Sequence, residues 1–162
     1  TRPWTRSRIS WGADRMAENS VETRADYPHF LDIPIRLRDV DVYGHVNNTV
    51  YLQFFDTVIN AYLIEEGGLD MPKGKVIGLA VETMCRFHAE IDFPGRIEAG
   101  LRVKRIGNSS VTYEIGIFKP GTEMPAATGH FVHVFIDRES RKPTPIPAAM
   151  RTTMERLLVA ED

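Results

Sequence analysis

Apolar and polar positions alternate from Ile33 onward. Ile33, Ile35 and Leu37 are separated by Pro34, Arg36 and Arg38, the two-residue period of a half-buried strand. Upstream, residues 1–30 hold no sustained period and are rich in Arg, Ser and Asp, which predicts a partly irregular arm before a folded domain at residues 31–162. A polar, turn-prone stretch follows the alternation, from Asp39 to Asn48, and then the period changes. Tyr51, Phe54, Phe55, Val58, Ile59, Tyr62 and Leu63 recur at i, i+3, i+4, i+7 and i+8, one wide apolar face of a helix over about 48–66. Asn47 or Asn48 can cap its first N–H groups, and Gly67-Gly68 ends it.

The rest of the chain reads as strands. Val81, Thr83, Cys85, Phe87, Ala89, Ile91 and Phe93 alternate with polar partners until Pro94-Gly95 breaks the pattern. Ile97, Ala99, Leu101 and Val103 form a second run. Gly107-Asn108-Ser109-Ser110 turns the chain into Val111, Tyr113, Ile115 and Ile117. After Pro120-Gly121, residues 126–136 are apolar on both faces, which predicts a central strand, and a short C-terminal helix is expected over about 148–158. Strands joined by such tight connections form an antiparallel sheet. A helix this aromatic on one side must lie across that sheet to hide its face. The predicted class is therefore α+β, with five antiparallel strands and one long helix, and no strand–helix alternation of a dinucleotide-binding kind.

Charge and cysteine content narrow the company the chain keeps. A formal net charge of -2 gives no strong field toward nucleic acid or an anionic membrane, and no apolar run is long enough to span one. Any phosphate-bearing ligand must meet local basic residues instead. The lone Cys85 excludes an intrachain disulfide and a cysteine-based zinc site and fits a reducing compartment. The basic, aromatic N-terminus (Arg2, Trp4, Arg6, Arg8, Trp11, Arg15) lacks an apolar signal core, Met16 has the look of a natural start, and a cytoplasmic location is expected.

The common catalytic motifs are missing: no Gly-rich phosphate loop, no GxSxG, no HExxH and no CxxC. His130 and His133, three apart in a strand, point to opposite faces, so no metal is expected. The register of Cys85 sets it among apolar positions, as a buried structural thiol. What remains is the stretch Asp41 to Tyr51, in which carboxylates, Gly44, His45 and two Asn directly precede a helix N-terminus. Such an end offers free N–H donors and positive potential to a carbonyl oxygen. A carboxylate beside it serves as general base or nucleophile. The residues alone leave a second reading, a capped loop with Asp39 and Asp41 as solvated charges.

Asp39-Val40-Asp41-Val42-Tyr43-Gly44-His45-Val46-Asn47-Asn48-Thr49-Val50-Tyr51 resembles the D-x-D-x-x-G-H-V-N-N-x-x-Y signature of the 4-hydroxybenzoyl-CoA thioesterase-like hotdog family. Phe87 with Phe93-Pro94-Gly95, and Ile106 to Val111, match its long strand and next hairpin, so the resemblance covers about residues 31–140. It implies the hotdog fold, a five-stranded antiparallel sheet wrapped around one long helix, and hydrolysis of an acyl thioester of coenzyme A or of an acyl carrier protein. Coenzyme A would be part of the substrate, so no separate cofactor is implied. The resemblance assigns the catalytic carboxylate to Asp41 and the oxyanion donor to a backbone N–H at Asn48 or a neighbour. His45 then orients Asp41 or lines the acyl channel, or is a structural loop residue. Gly44, Asn47 and Tyr51 fall at the substrate, Asn47 more as a cap than a catalyst and Tyr51 as core first. Lys104, Arg105, Ser109 and Ser110 are the candidates for the nucleotide phosphates, against the plainer reading of a solvated hairpin. Relatives join two sheets into one, with active sites between subunits, so a homodimer or homotetramer is expected. A non-catalytic acyl-CoA-binding module and a hotdog hydratase are the alternatives the same fold allows.

Overall fold

The computed structural model describes residues 22–160. Five strands and two α-helices follow one another as β1 (His29–Pro34), α1 (Val50–Gly67), β2 (Val76–Phe87), β3 (Arg96–Ile106), β4 (Ser110–Phe118), β5 (Ala127–Asp137) and α2 (Ala148–Glu155). The strands form a single sheet in the order β1-β3-β4-β5-β2, with every neighbouring pair antiparallel. Because β1 and β2 are the two edges, the chain makes its long crossing, through α1, between opposite sides of the sheet. β4 is the middle strand. β5, expected to be central, lies next to it and is paired along both edges, with buried and half-buried residues interspersed along it.

The apolar stripe of α1 lies across one face of the sheet. Phe55, Val58 and Ile59 are fully buried and join Ile97, Leu101, Ile115, Ile117 and Phe135 in one core. The helix starts at Val50, two residues after its expected beginning, and stops one residue later than expected, at Gly67; Gly68 then takes the left-handed conformation at φ 68° and its N–H bonds Leu63 O. α2 closes the far end of this core: Met150 and Met154 are buried, and the Tyr62 hydroxyl donates to Thr153 O at 2.7 Å. It ends three residues short of the expected boundary. Among the described residues no helix is long and apolar enough to cross a membrane.

Three differences from the sequence reading have physical causes. The first strand begins at His29 rather than near Ile33, and ends at Pro34; Leu37 is 73% exposed, in a 3₁₀ turn over Leu37–Asp39 that Asp39 closes on the Arg36 N–H. Residues 22–30 belong to the fold, whereas residues 1–21 of the expected arm lie outside the described part. Tyr27 is buried on the outer face of the sheet, where Gly100 and Gly116 make room for its ring. The run expected to be a strand from Val81 to Phe93 is displaced: β2 spans Val76–Phe87, with an irregularity between Ala80 and Glu82. Its apolar positions are not a core stripe, since Val81 and Phe87 are exposed, and Cys85 is half-buried rather than deeply buried.

Candidate active site

The segment between β1 and α1 is folded by its own polar side chains. Asp39 is buried to 2% exposure and accepts three hydrogen bonds from Arg36: from the backbone N–H at 2.7 Å, from Nε at 3.2 Å and from Nη2 at 2.9 Å. Burial alone would raise its carboxyl. The Arg36 contacts outweigh that and hold it below the ordinary carboxylate range. Asp39 is therefore a structural clamp and not a solvated charge.

Two residues on, Asp41 occupies a tight loop. Its N–H donates to His45 O at 3.1 Å, and its own carbonyl accepts from Gly44 N–H at 3.0 Å. Gly44 makes the loop possible: at φ +85° a side chain would be strained, although space is open around its Cα. Both oxygens of the Asp41 carboxylate are held. Oδ1 accepts from the Tyr43 N–H at 2.9 Å and Oδ2 from the Asn47 side-chain amide at 2.9 Å.

Asn47 connects this carboxylate to the helix. Its Oδ1 accepts from the Thr49 N–H at 3.0 Å and from the Thr49 hydroxyl at 2.6 Å, while its carbonyl accepts from the Val50 N–H at 3.0 Å. Asn47 thus does the capping that Thr49, at the formal start of α1, does not do for itself. Its own N–H is spent on Asp39 O at 2.8 Å. Along residues 47–50, the N–H of Asn48 is then left with no acceptor among the described residues.

His45 does not touch the Asp41 side chain; the two meet only through the backbone. The His45 Nε2 lies 3.1 Å from Glu90 and 3.2 Å from Asp92, and it ties the loop to the β2–β3 connection, as does the Val46 N–H bonded to Ile91 O at 2.9 Å. Tyr51 is core, packed edge-on to Phe87 at 5.0 Å, and burial pushes its hydroxyl up to about 12. Burial also pushes the Cys85 thiol up to about 11, so this residue is a thiol and not a thiolate at neutral pH. Among the described residues no group of His, Cys, Asp and Glu is arranged to hold a metal.

Lys104, Arg105, Ser109 and Ser110 are not brought to Asp41 within one chain. The Asp41 loop adjoins the start of β3, where Ile35 N–H bonds Gly95 O, and from Arg96 to Arg105 the strand runs roughly 30 Å. There Lys104 pairs with Glu114 at 3.5 Å, the Ser110 carbonyl closes the β3–β4 hairpin by accepting from Gly107, and the Ser109 carbonyl ties it to β5 by accepting from Phe135. Instead, Arg36, Arg38 and Gln53 join Asp41 and Thr49 around an open depression of about 530 Å³. The sequence reading missed these three. The Arg-x-x-Asp spacing of Arg36 and Asp39 was the available signal, because it matches a side chain reaching back over one tight turn; Gln53, one helical turn past Thr49, carried none.

A fixed carboxylate beside a free helix-terminal N–H suits acyl transfer, in which a nucleophile is activated on one side of a carbonyl and its oxygen stabilised on the other. Comparison with known proteins agrees with that class. The model of the thioesterase-like superfamily matches residues 35–154, and the chain belongs to that superfamily. Among solved structures, the PA5185 protein of Pseudomonas aeruginosa strain PAO1 is 49% identical, with a TM-score of 0.85 over 87% of this chain and 99% of that one. The dynemicin thioesterase is 17% identical, with a TM-score of 0.75 over 82% of this chain and 98% of its own. Slr0204 of Synechocystis, a 1,4-dihydroxy-2-naphthoyl-CoA thioesterase, is 20% identical, with a TM-score of 0.71 over 79% and 96%. The last two likenesses are of fold. A search of curated proteins finds no match to this sequence. The chain is thus a member of the thioesterase-like superfamily, built on the hotdog architecture.

Proposed function

We propose that the chain hydrolyses an acyl thioester of coenzyme A or of an acyl carrier protein, with Asp41 as the reacting carboxylate and the Asn48 N–H as oxyanion donor. The observation that carries this reading is the Asp41 carboxylate, both oxygens held by hydrogen bonds and tied through Asn47 to the start of a long buried helix, where the Asn48 N–H has no acceptor among the described residues. As a base, Asp41 takes a proton from a water whose oxygen bonds the carbonyl carbon. The carbonyl electron pair moves onto its oxygen, which accepts from Asn48 N–H. Collapse breaks the C–S bond, and the departing sulfur recovers the proton from Asp41. As a nucleophile, an Asp41 oxygen bonds that carbon directly, the thiolate leaves, and water splits the resulting anhydride.

So sparse a site suffices because a thiol with a pKa near about 8.5 departs without a strong acid behind it. One oriented oxyanion donor is worth about 3 kcal/mol of barrier. Asn47 and Gly44 shape the site, and His45 fixes the loop from outside. The substrate brings coenzyme A with it, and the reaction needs no other cofactor. The edge strand β2, with Val81 and Phe87 exposed along it, is a long unpaired edge that a second copy would cover by antiparallel pairing, giving a continuous sheet in a homodimer. Light scattering that finds only monomer contradicts the pairing.

The test of the activity is thiol release from acyl-CoAs bearing short, long, branched and aromatic acyl groups. Turnover on one class names the substrate. Tight acyl-CoA binding with no release from any member would make the chain a binding module and overturn the proposal.

A further inference from the structure

We propose that Arg36 and Arg38 form the subsite for the phosphate-bearing thiol arm of the substrate, the arm that coenzyme A and carrier proteins share. The inference rests on the hydrolase reading and says on which side of Asp41 the leaving thiol lies. The depression beside Asp41 holds about 530 Å³, within the range of roughly 300–1,000 Å³ that small-molecule sites occupy. Its lining is polar. Arg36, Arg38, Thr49 and Gln53 face it with Asp41, and Val40 and Val50 are its apolar members. A hydrocarbon or aromatic acyl group gains little from such walls, whereas the amides and phosphate of a thiol arm find donors and acceptors there. Tyr51 and the exposed Phe87, the apolar pair near the motif, lie outside this depression.

The two guanidiniums are suited to an anion in different ways. Arg36 is held in place: Nε, Nη2 and the backbone N–H are all engaged by the buried Asp39, which leaves Nη1 without a partner among the described residues. A guanidinium already fixed by a carboxylate loses little conformational entropy when it binds a second anion. Arg38 is exposed and makes no hydrogen bond or ion pair with any described residue. Asp39 is bonded by Arg36 and feels Arg38 only through space, and the Asp41 oxygens are taken by an N–H and an amide, so neither carboxylate bonds Arg38. Planar guanidiniums hold phosphate through paired N–H donors. Lys104 and Arg105, the cations the sequence suggested for this task, lie at the other end of β3 in the same chain.

The experiment is calorimetric binding of free coenzyme A, phosphopantetheine and pantetheine to the full chain and to Arg38→Glu, Arg38→Lys and Arg156→Gln. The last removes an exposed charge from just beyond α2. The proposal expects wild type to bind both phosphate-bearing thiols at least tenfold tighter than pantetheine. Arg38→Glu should bring them down to the pantetheine level, Arg38→Lys should keep part of the preference, and Arg156→Gln should match wild type. A preference for coenzyme A over phosphopantetheine makes the free nucleotide the source. Equal binding, with a holo carrier protein weakened by Arg38→Glu, makes it the carrier protein. Unchanged affinity within twofold in a folded Arg38→Glu, no wild-type preference over pantetheine, or no binding at all overturns the subsite. Phosphate-dependent binding without thioester turnover would sink the hydrolase reading and leave the subsite standing.

Discussion

At the scale of single residues, polar side chains fold the ten or so positions before α1. Asp39 is the residue whose role the sequence hid most. Its spacing looks like that of any acidic loop residue, and only the structure shows it buried and clamped by Arg36. Asp39→Ala should therefore destabilise the fold by about 1–3 kcal/mol, because it removes the three hydrogen bonds from Arg36 that hold this turn. The shift should appear in the urea midpoint, with the slope unchanged. Gly44 gives a cleaner test. The space around it is open, so Gly44→Ala pays only for the left-handed backbone at φ +85°, about 1 kcal/mol. Activity should fall more than stability, since the same turn sets the Asp41 carboxylate on the Tyr43 N–H. The turn before α1 was legible because the motif is contiguous, and Asp41, Asn47 and Asn48 fall within it. The partners of His45 were not, since Glu90 and Asp92 come from a distant connection and read as outward charges.

At the scale of elements, α1 was readable almost to the residue, because an aromatic stripe at helical spacing has one solution against a sheet. The strands were harder. β2 alternates in sequence as if one face were buried, yet Val81 is 59% exposed, because it is the residue left without a partner where the pairing with β5 skips from Ala80 to Glu82. Residues 22–30 escaped the reading for a different reason. Tyr27 finds its place through Gly100 and Gly116 on β3 and β4, a pairing invisible in any local period. A Cβ on Gly116 would come within 2.8 Å of the Tyr27 ring and 2.7 Å of Phe118. Gly116→Ala should cost about 1–3 kcal/mol of overpacking strain. Part of that cost should vanish in a Tyr27→Ala background, so a double-mutant cycle by chemical denaturation should give a coupling larger than about 0.5 kcal/mol.

For the whole molecule, the pH dependence of stability has one clear contributor in the core. His133 is 3% exposed, ringed by Tyr113, Phe131 and Phe135, and burial lowers its pKa from 6.5 to about 4. The unfolded chain therefore takes up a proton between those values that the folded chain refuses. Stability is full above about 6.5 and falls as the pH drops toward 4, by about 3 kcal/mol if His133 acts alone. Urea unfolding across this window should show the loss, and His133→Phe, of similar shape, should flatten it. An equal slope in that variant would remove His133 as the cause.

The most direct test of the account is a comparison of wild type with Asp41→Asn on the best acyl thioester. The amide keeps the size of the side chain and removes its charge. In this variant kcat should fall by about 10²–10⁴-fold, while acyl-CoA affinity stays close to wild type and stability drops by only about 1 kcal/mol, because the amide keeps one of the two hydrogen bonds that the carboxylate accepts. A variant that keeps its turnover within a few-fold would show that another group does the chemistry, and would contradict the assignment of Asp41.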